Sequence, residues 1–175
     1  EMCIRDRDNS VIERHIISVL VDNEPGVLAR VIGLFSGRGY NIESLTVSET
    51  DPERALSRIS IVTSGTPMVI EQIKAQLARL VPIHAVRDLT ENDVAIEREL
   101  ALVKIINHGE ERIEALRIAD TFRARTLDST LDSFVFEVTG NSSKVDAFVN
   151  LMRSLGSVEV ARTGVSAISR GNNID

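Results

Sequence analysis

The chain has 175 residues, of which 20 are basic and 26 acidic, so its formal net charge at neutral pH is −6. An acidic chain with only 3% aromatic residues is a poor candidate for nucleic-acid binding, which needs clustered Lys and Arg or exposed stacking rings. Its 43% hydrophobic and 26% charged residues are typical of a folded globular protein with one ordinary domain or two small ones.

The single cysteine, Cys3, excludes an internal disulfide, and no Cys/His cluster has the spacing of a zinc site. No apolar run approaches the roughly 20 residues needed to cross a bilayer, and no signal peptide is visible. We therefore expect a cytoplasmic protein without a membrane span or a metal site. Residues 1–13 match no later pattern, and we expect them to be a disordered or foreign extension.

The first domain is predicted over residues 14–90 from changes in the hydrophobic period. A β-branched run from His15 to Val21 predicts a strand, which stops at the sequence Asp-Asn-Glu-Pro-Gly ending at Gly26. Helical spacing follows as far as Phe35. The later elements are strands over 40–49 and 56–63, a helix from Pro67 and a strand over 81–87. The predicted order is βαββαβ.

The second domain is predicted over residues 91–175, after a polar stretch that marks a boundary. The same order is repeated more faintly, with strands over 99–107, 125–128, 133–140 and 156–169, and helices over 110–123 and from Asn141. The predicted fold class is therefore α+β, with two ferredoxin-like (βαββαβ) units. Helices cover one face of such a sheet and leave its edge strands unpaired, so we expect a homodimer that joins two sheets edge to edge.

No pattern in the sequence assembles an active site. The histidines His15, His84 and His108 fall in different predicted elements, without a nucleophile or acid at matching spacing. The P-loop, the dinucleotide-binding glycine motif, the GxSxG elbow and the HExxH zinc motif are all missing from the sequence. We therefore predict no catalytic residues.

A binding site is better supported, at the loop between the first strand and the first helix. The first N–H groups of a helix are free and its dipole is positive there, which suits a carboxylate. Gly26 lets a ligand approach the backbone, and the Asn23 amide both donates and accepts hydrogen bonds, as a zwitterion requires. The same residues could equally form only a turn with a helix cap.

A second segment, residues 36–44, contains two glycines and Asn41 and is also typical of a helix end followed by a turn. Asn41 and Ile42 would lie at the start of the second strand, where a second copy of the chain could reach them.

The string NEPGVLARVIGLFSGRGYNIESL, residues 23–45, resembles the first half of an ACT domain, and more narrowly that of the acetolactate synthase small regulatory subunit. The stretches at 71–77, 97–105, 160–164 and 169–171 are similar to the same family, so the resemblance covers roughly residues 14–171. It implies an N-terminal ACT domain followed by a C-terminal regulatory-subunit domain.

The resemblance implies a regulator of a transferase rather than the catalyst. Its partner would be a large catalytic subunit that carries thiamine diphosphate, Mg and FAD, with no cofactor on this chain. Such small subunits activate the large subunit and make it sensitive to valine in branched-chain amino-acid biosynthesis. An ACT-type sensor that acts on another enzyme or regulator is the alternative, because the fold alone does not fix the partner.

The resemblance also implies the effector site, which lies between the first loop of one subunit and the second strand of the other in similar dimers. For valine or another branched-chain amino acid, the residues carried over are Asn23, Gly26, Asn41 and Ile42. The backbone at Gly26 and Val27 would hold the carboxylate, the two asparagines the ammonium group, and Leu28 with Ile42 the aliphatic side chain. Leu28 and Ile42 could equally belong to the core.

Overall fold

The computed structural model describes residues 11–91 and 95–172, and its internal contacts divide the chain into two compact units. The first unit extends to Ile96 and takes in the chain again from Ala167, and the second comprises Glu97–Ser166. The predicted boundary after residue 90 differs from this division at both ends of the second unit. Residues 1–10 of the predicted extension lie outside the described residues.

The first unit has the predicted βαββαβ order. Its elements are β1 (Glu13–Asp22), α1 (Val27–Gly37), β2 (Ser44–Asp51), β3 (Leu56–Gly65), α2 (Pro67–Leu77) and β4 (Ile83–Asp88). The sheet order is β2-β3-β1-β4, so β2 and β4 are its edge strands. Every pairing in this sheet is antiparallel. β1 begins at Glu13, two residues before the predicted strand start at His15.

The core of the first unit lies between the two helices and one face of the sheet. Alternate residues of β1 and β3 point to that face because side chains in a strand alternate with period two. The buried members are Ile17, Val19, Val21, Val27, Val31, Phe35, Ile59, Ile61, Ile70, Ile73 and Leu77. Pro67 opens α2 as predicted, and the Thr66 side chain caps it by accepting from the N–H of Val69.

The second unit repeats this arrangement. Its elements are β5 (Ala95–Ile106), α3 (Glu110–Thr121), β6 (Arg125–Ser129), β7 (Ser133–Gly140), α4 (Ser142–Arg153) and β8 (Ser157–Arg162), and only the first residue of β9 (Ser166–Ser169) belongs to this unit. The sheet order is β6-β7-β5-β8, with β9 paired to β5. The single final strand predicted over 156–169 is wrong, because residues 163–165 separate β8 from β9 and Gly164 takes a positive φ of 85° there.

Three phenylalanines and α4 dominate the core of the second unit. Its buried residues are Ala101, Val103, Ile105, Ala115, Ala119, Phe134, Phe136, Val138, Val145, Phe148, Val149 and Met152. Asn141 caps α4, as the sequence predicts, by accepting from the N–H of Lys144 at 2.9 Å. At the rim of the core, the almost fully buried Glu99 carboxylate accepts two hydrogen bonds from the Arg162 guanidinium, which also donates to Asp146 at 2.6 Å.

Two helices bury a narrower face than their apolar residues predict. On α1, Leu28 and Ile32 are 37% and 39% exposed, whereas Val27, Val31 and Phe35 are buried. At about 100° per residue, Leu28 and Ile32 lie to one side of the buried stripe rather than within it. On α3, Ile113 and Leu116 are likewise exposed, and the smaller Ala115 and Ala119 face the core. Among the described residues, no helix is long and apolar enough to cross a membrane.

Candidate functional site

The loop between β1 and α1 is held by backbone hydrogen bonds at its start. The N–H of Asp22 donates to the carbonyl of Pro82 at 2.9 Å, and that of Asn23 donates to the carbonyl of Ala55 at 2.7 Å. Both acceptors lie in turns next to the neighbouring strands β4 and β3. These two hydrogen bonds fix the direction of the chain after β1 and so position Gly26 at the beginning of α1.

Gly26 occupies the N-cap of α1 in the left-handed region, at φ 88° and ψ −9°. No side chain caps this helix and no acidic residue lies in its first turn. A Cβ added at Gly26 would meet nothing within 4 Å, so the space in front of the backbone is open. The positive end of the helix dipole thus faces an accessible space, which suits a small carboxylate, although the N–H of Val27 already donates to the carbonyl of Glu24 at 3.4 Å.

Asn23 does not cap α1. Its Nδ2 atom donates instead to Oε1 of Glu49 on β2, at 3.0 Å. The alternative interpretation is that the loop residues form only a turn with a helix cap. The turn is present, but no side chain caps α1. Glu49 is a neighbour that the sequence reasoning missed, because only the register of β2 against β3 brings it back to the loop.

A histidine–aspartate pair also adjoins the loop. Nε2 of His84 on β4 lies 2.5 Å from Oδ1 of Asp22, the residue before Asn23. Both side chains are partly exposed. Asp22 is therefore already engaged inside the first unit, which leaves Glu49 as the carboxylate directly bonded to a candidate site residue.

Asn41 and Ile42 lie at the opposite end of the sheet from this loop, just before β2, which begins at Ser44 and not at residue 40 as predicted. The Thr63 hydroxyl donates to the carbonyl of Asn41 at 2.6 Å, and Thr63 pairs with His15 near the start of β1. Asp22 is seven residues further along β1, which is about 23 Å at 3.3 Å per residue. Within one chain the two halves of the predicted site are therefore too far apart to hold one amino acid.

The structure separates the predicted aliphatic walls. Val27 is buried in the core of the first unit, and Ile42 is partly buried against that core. Leu28 belongs to neither group and remains 37% exposed beside the loop. Ile42 is therefore in part a core residue, as the alternative interpretation expects, whereas Leu28 is not a core residue.

Leu28 is one of three exposed apolar side chains on α1 and the edge strand β2 of the first unit. Ile32 lies one turn further along α1, and Val47, which is 44% exposed, lies on the edge strand β2 and points to the helix side of the sheet. We call Leu28, Ile32 and Val47 the β2-edge strip. It combines exposed apolar side chains with a strand that has a neighbour on one side only, two features that mark a surface for association.

The equivalent loop of the second unit has different electrostatics. Gly109 also precedes its helix with a positive φ, 61°, and no side chain caps α3. Glu110 and Glu111, however, lie in the first turn of α3 and already compensate its dipole. A carboxylate is therefore favoured at α1 and disfavoured at α3.

Two clefts lie away from the candidate residues. One of about 380 Å³ is lined by α4 and β8 of the second unit, and one of about 570 Å³ lies beside α2 and β4 of the first. In the described part of the chain, no group of three or more His, Cys, Asp or Glu side chains could hold a metal ion. The predicted lack of a metal site remains a prediction.

Comparisons with known proteins agree with both units. A family model for the small-subunit-like ACT domain of acetohydroxyacid synthase (AHAS) matches residues 17–85, and one for the small subunit of acetolactate synthase matches residues 98–171. A probable acetolactate synthase small subunit of Archaeoglobus fulgidus is 50% identical over 159 residues, which cover 91% of this chain and 98% of the relative.

Two further relatives extend the similarity to bacteria and to a solved structure. The acetolactate synthase isozyme 3 small subunit of Escherichia coli is 48% identical over 92% of this chain and 98% of its own length. The crystal structure of the acetolactate synthase small subunit from Thermotoga maritima is 38% identical, with a TM-score of 0.80 over 92% of this chain and 99% of the other. This chain belongs to the acetolactate synthase small-subunit family.

Proposed function

We propose that this chain is the regulatory subunit of acetolactate synthase, which activates a large catalytic subunit and makes it sensitive to valine or another branched-chain amino acid. The observation that carries the effector part is the start of α1 at Gly26, which is open, has no side-chain cap and has no acidic residue in its first turn. Membership of the small-subunit family supports the choice of partner.

The proposal includes a homodimer joined through the edges of the two β2 strands. Antiparallel pairing of β2 with its copy would extend the sheet and bring the two β2-edge strips together, covering Leu28, Ile32 and Val47. A two-fold axis close to the start of β2, at Leu45 for example, would set Glu49 opposite Asn41 of the other copy. The two halves of the site, about 23 Å apart within one chain, would then meet across the interface.

In this dimer the effector carboxylate would lie on the N–H groups beyond Gly26. Its side chain would contact Leu28 and Ile42 of the other copy, two aliphatic groups that leave room for a small branched side chain. The α3 end of the second unit, with Glu110 and Glu111 in its first turn, is a poor site for the same carboxylate. We therefore place one kind of effector site in the chain, at the first unit.

The catalytic chemistry is assigned to the large subunit. We expect thiamine diphosphate, Mg and FAD to be bound there and not by this chain, and we expect both subunits to work in the cytoplasm. The activity of this chain would then consist of binding the large subunit, binding the effector and coupling the two events. Coupling is reciprocal, so valine must bind the inhibited complex more tightly than the active one.

The test is reconstitution with the large subunit from the same organism. Adding the chain should raise the rate of acetolactate formation from pyruvate, and valine should then lower it. The chain without the large subunit should form no acetolactate. Acetolactate formation by this chain alone would contradict the assignment of catalysis to its partner.

A further inference from the structure

We propose that Glu49 binds the ammonium group of the effector, so that the site accepts an α-amino acid and rejects the 2-oxo acid with the same side chain. This inference rests on the proposed function and assigns a specificity role to a residue that the sequence reasoning did not single out. The geometry that carries it is the 3.0 Å hydrogen bond from Asn23 Nδ2 to Glu49 Oε1.

The charges around the loop form two complementary halves. The start of α1 supplies partial positive charge and lacks both a side-chain cap and an acidic residue. Glu49 supplies a full negative charge, and its bond to Asn23, three residues before Gly26, fixes it on the loop side of β2. A zwitterion matches both halves at once, whereas a simple carboxylate would bind the helix end and meet repulsion from Glu49.

Asn23 acts in this arrangement as the group that positions Glu49. Its Nδ2 donates to Oε1, so Oε2 of Glu49 and Oδ1 of Asn23 remain as acceptors that an ammonium group could use together. The ligand needs acceptors at its nitrogen and donors at its carboxylate, and the loop offers both kinds side by side. An ammonium-to-carboxylate bond is of the stronger, charge-assisted kind.

Three other carboxylates of the first unit are engaged within it, whereas Glu24, in the loop itself, has an exposed side chain. Asp22 is paired with His84, and Glu43, at the far end of β2, accepts from the hydroxyl of Ser64 at 2.5 Å. Asp51 accepts from the N–H of Arg54 in the turn after β2. Glu49 differs from these three carboxylates because it accepts a hydrogen bond from Asn23, a candidate site residue.

Discrimination between an amino acid and its 2-oxo acid would matter for regulation. The 2-oxo acid that differs from valine only by a carbonyl in place of its amine is 3-methyl-2-oxobutanoate, and a transamination interconverts the two. A site that reads the ammonium group would respond to the amino acid and not to that oxo acid. Hydrophobic contacts could not provide this distinction, because the two side chains are identical.

The experiment is calorimetric titration of the full-length chain with valine and, separately, with 3-methyl-2-oxobutanoate. Glu49→Gln removes the charge but keeps an oxygen that can accept from Asn23, so the loop geometry is retained. Glu53→Gln is the matched control, since it makes the same charge change on the exposed turn of the same hairpin. We expect valine to bind Glu49→Gln about 10-fold more weakly than wild type and Glu53→Gln as tightly as wild type.

The oxo acid should bind the wild type at least 10-fold more weakly than valine does. In Glu49→Gln, the difference in affinity between valine and the oxo acid should be smaller. Equal affinity of valine for Glu49→Gln and for wild type would overturn the role of Glu49 while leaving the effector site in place. Equal affinity of wild type for valine and the oxo acid would overturn the ammonium recognition. A wild-type chain that binds no branched-chain amino acid would instead overturn the proposed function, and this inference with it.

Discussion

Replacing Gly26 with Asp tests whether the start of α1 holds a carboxylate. The backbone there has a φ of 88°, which strains any residue with a Cβ, although Asn and Asp tolerate this region better than most. The added Cβ itself meets nothing within 4 Å, so no steric clash is added. We expect the variant to fold with its free energy of unfolding lowered by about 1 kcal/mol, or roughly 4–8 °C in Tm for a unit of this size.

The effect on binding should be much larger than the effect on stability. Two carboxylates about 5 Å apart at an effective dielectric constant near 20 repel each other by roughly 3 kcal/mol. That repulsion corresponds to a loss of valine affinity of more than about 100-fold. Gly26→Asn is the matched control, because its side chain has the same shape and the same backbone strain without the charge. We expect Gly26→Asn to lose no more than about 10-fold.

The assay is calorimetric titration of each full-length variant with valine at low salt, where screening is weak. Thermal unfolding of the same samples checks that both variants are folded. If Gly26→Asp and Gly26→Asn bind valine equally well, the electrostatic part of the reasoning fails. If both bind as tightly as wild type, the ligand carboxylate lies elsewhere on the chain.

Three further predictions concern assembly and stability. Val47→Asp puts a charge into the β2-edge strip, and sedimentation should then show a monomer of about 19.3 kDa instead of a dimer. The control Val81→Asp changes a residue that is 94% exposed after α2 and should leave the protein dimeric. A Val47→Asp variant that stays dimeric would contradict the edge-to-edge interface. Arg162→Met leaves the buried Glu99 carboxylate without its main partner and should cost about 3–5 kcal/mol in denaturant unfolding. The hydrogen bonds to Glu99 raise the pKa of Arg162, so the part of this stabilisation that depends on the charge of Arg162 should be present below the ordinary arginine pKa and be lost only as the pH rises through the folded-state value. Gly156→Ala would place a Cβ against the backbone carbonyl of Ile106 and should lower the free energy of unfolding of the second unit. The control Gly140→Ala places its Cβ only against the flexible side chain of Lys144 and should change that free energy little. Equal losses of stability in the two variants would contradict the close approach at Gly156.

Much of the fold is predictable because its local signals agree with one another. In β1 and β3 the apolar residues are β-branched and bounded by turn residues, so the strands and their order follow from the sequence. Pro67 at the start of α2 and Asn141 before α4 mark helix starts that the structure confirms. The prediction of a single final strand is wrong because residues 163–165, with Gly164 at a positive φ, interrupt a run whose apolar spacing continues on both sides.

The helix faces show what a single-chain pattern leaves undetermined. Val27, Leu28, Val31 and Ile32 are all apolar, and their spacing does not reveal which of them face the core of the unit. Exposure separates the pairs: Val27 and Val31 are buried, and Leu28 and Ile32 are left outside. An apolar residue that stays exposed on the helix has the same sequence signature as one that is buried in the core.

The candidate site was predictable in its first half only. The Asn-Glu-Pro-Gly sequence indicates a loop and a helix start, and the structure places an uncapped, left-handed Gly26 there. The bond between Asn23 and Glu49 depends on the β2–β3 register, 26 residues away along the chain, and no local pattern predicts it. The separation of Asn23 from Asn41 likewise becomes visible only when the strands are paired.

The most direct test of the account is valine titration of acetolactate formation by the large subunit from the same organism, with and without this chain. Wild-type chain should raise the rate of acetolactate formation and make it fall as valine is added. Gly26→Asp chain should raise the rate similarly but require more than about 100-fold more valine for the same inhibition. A large subunit whose rate and valine response are unchanged by an excess of wild-type chain would contradict the proposed function.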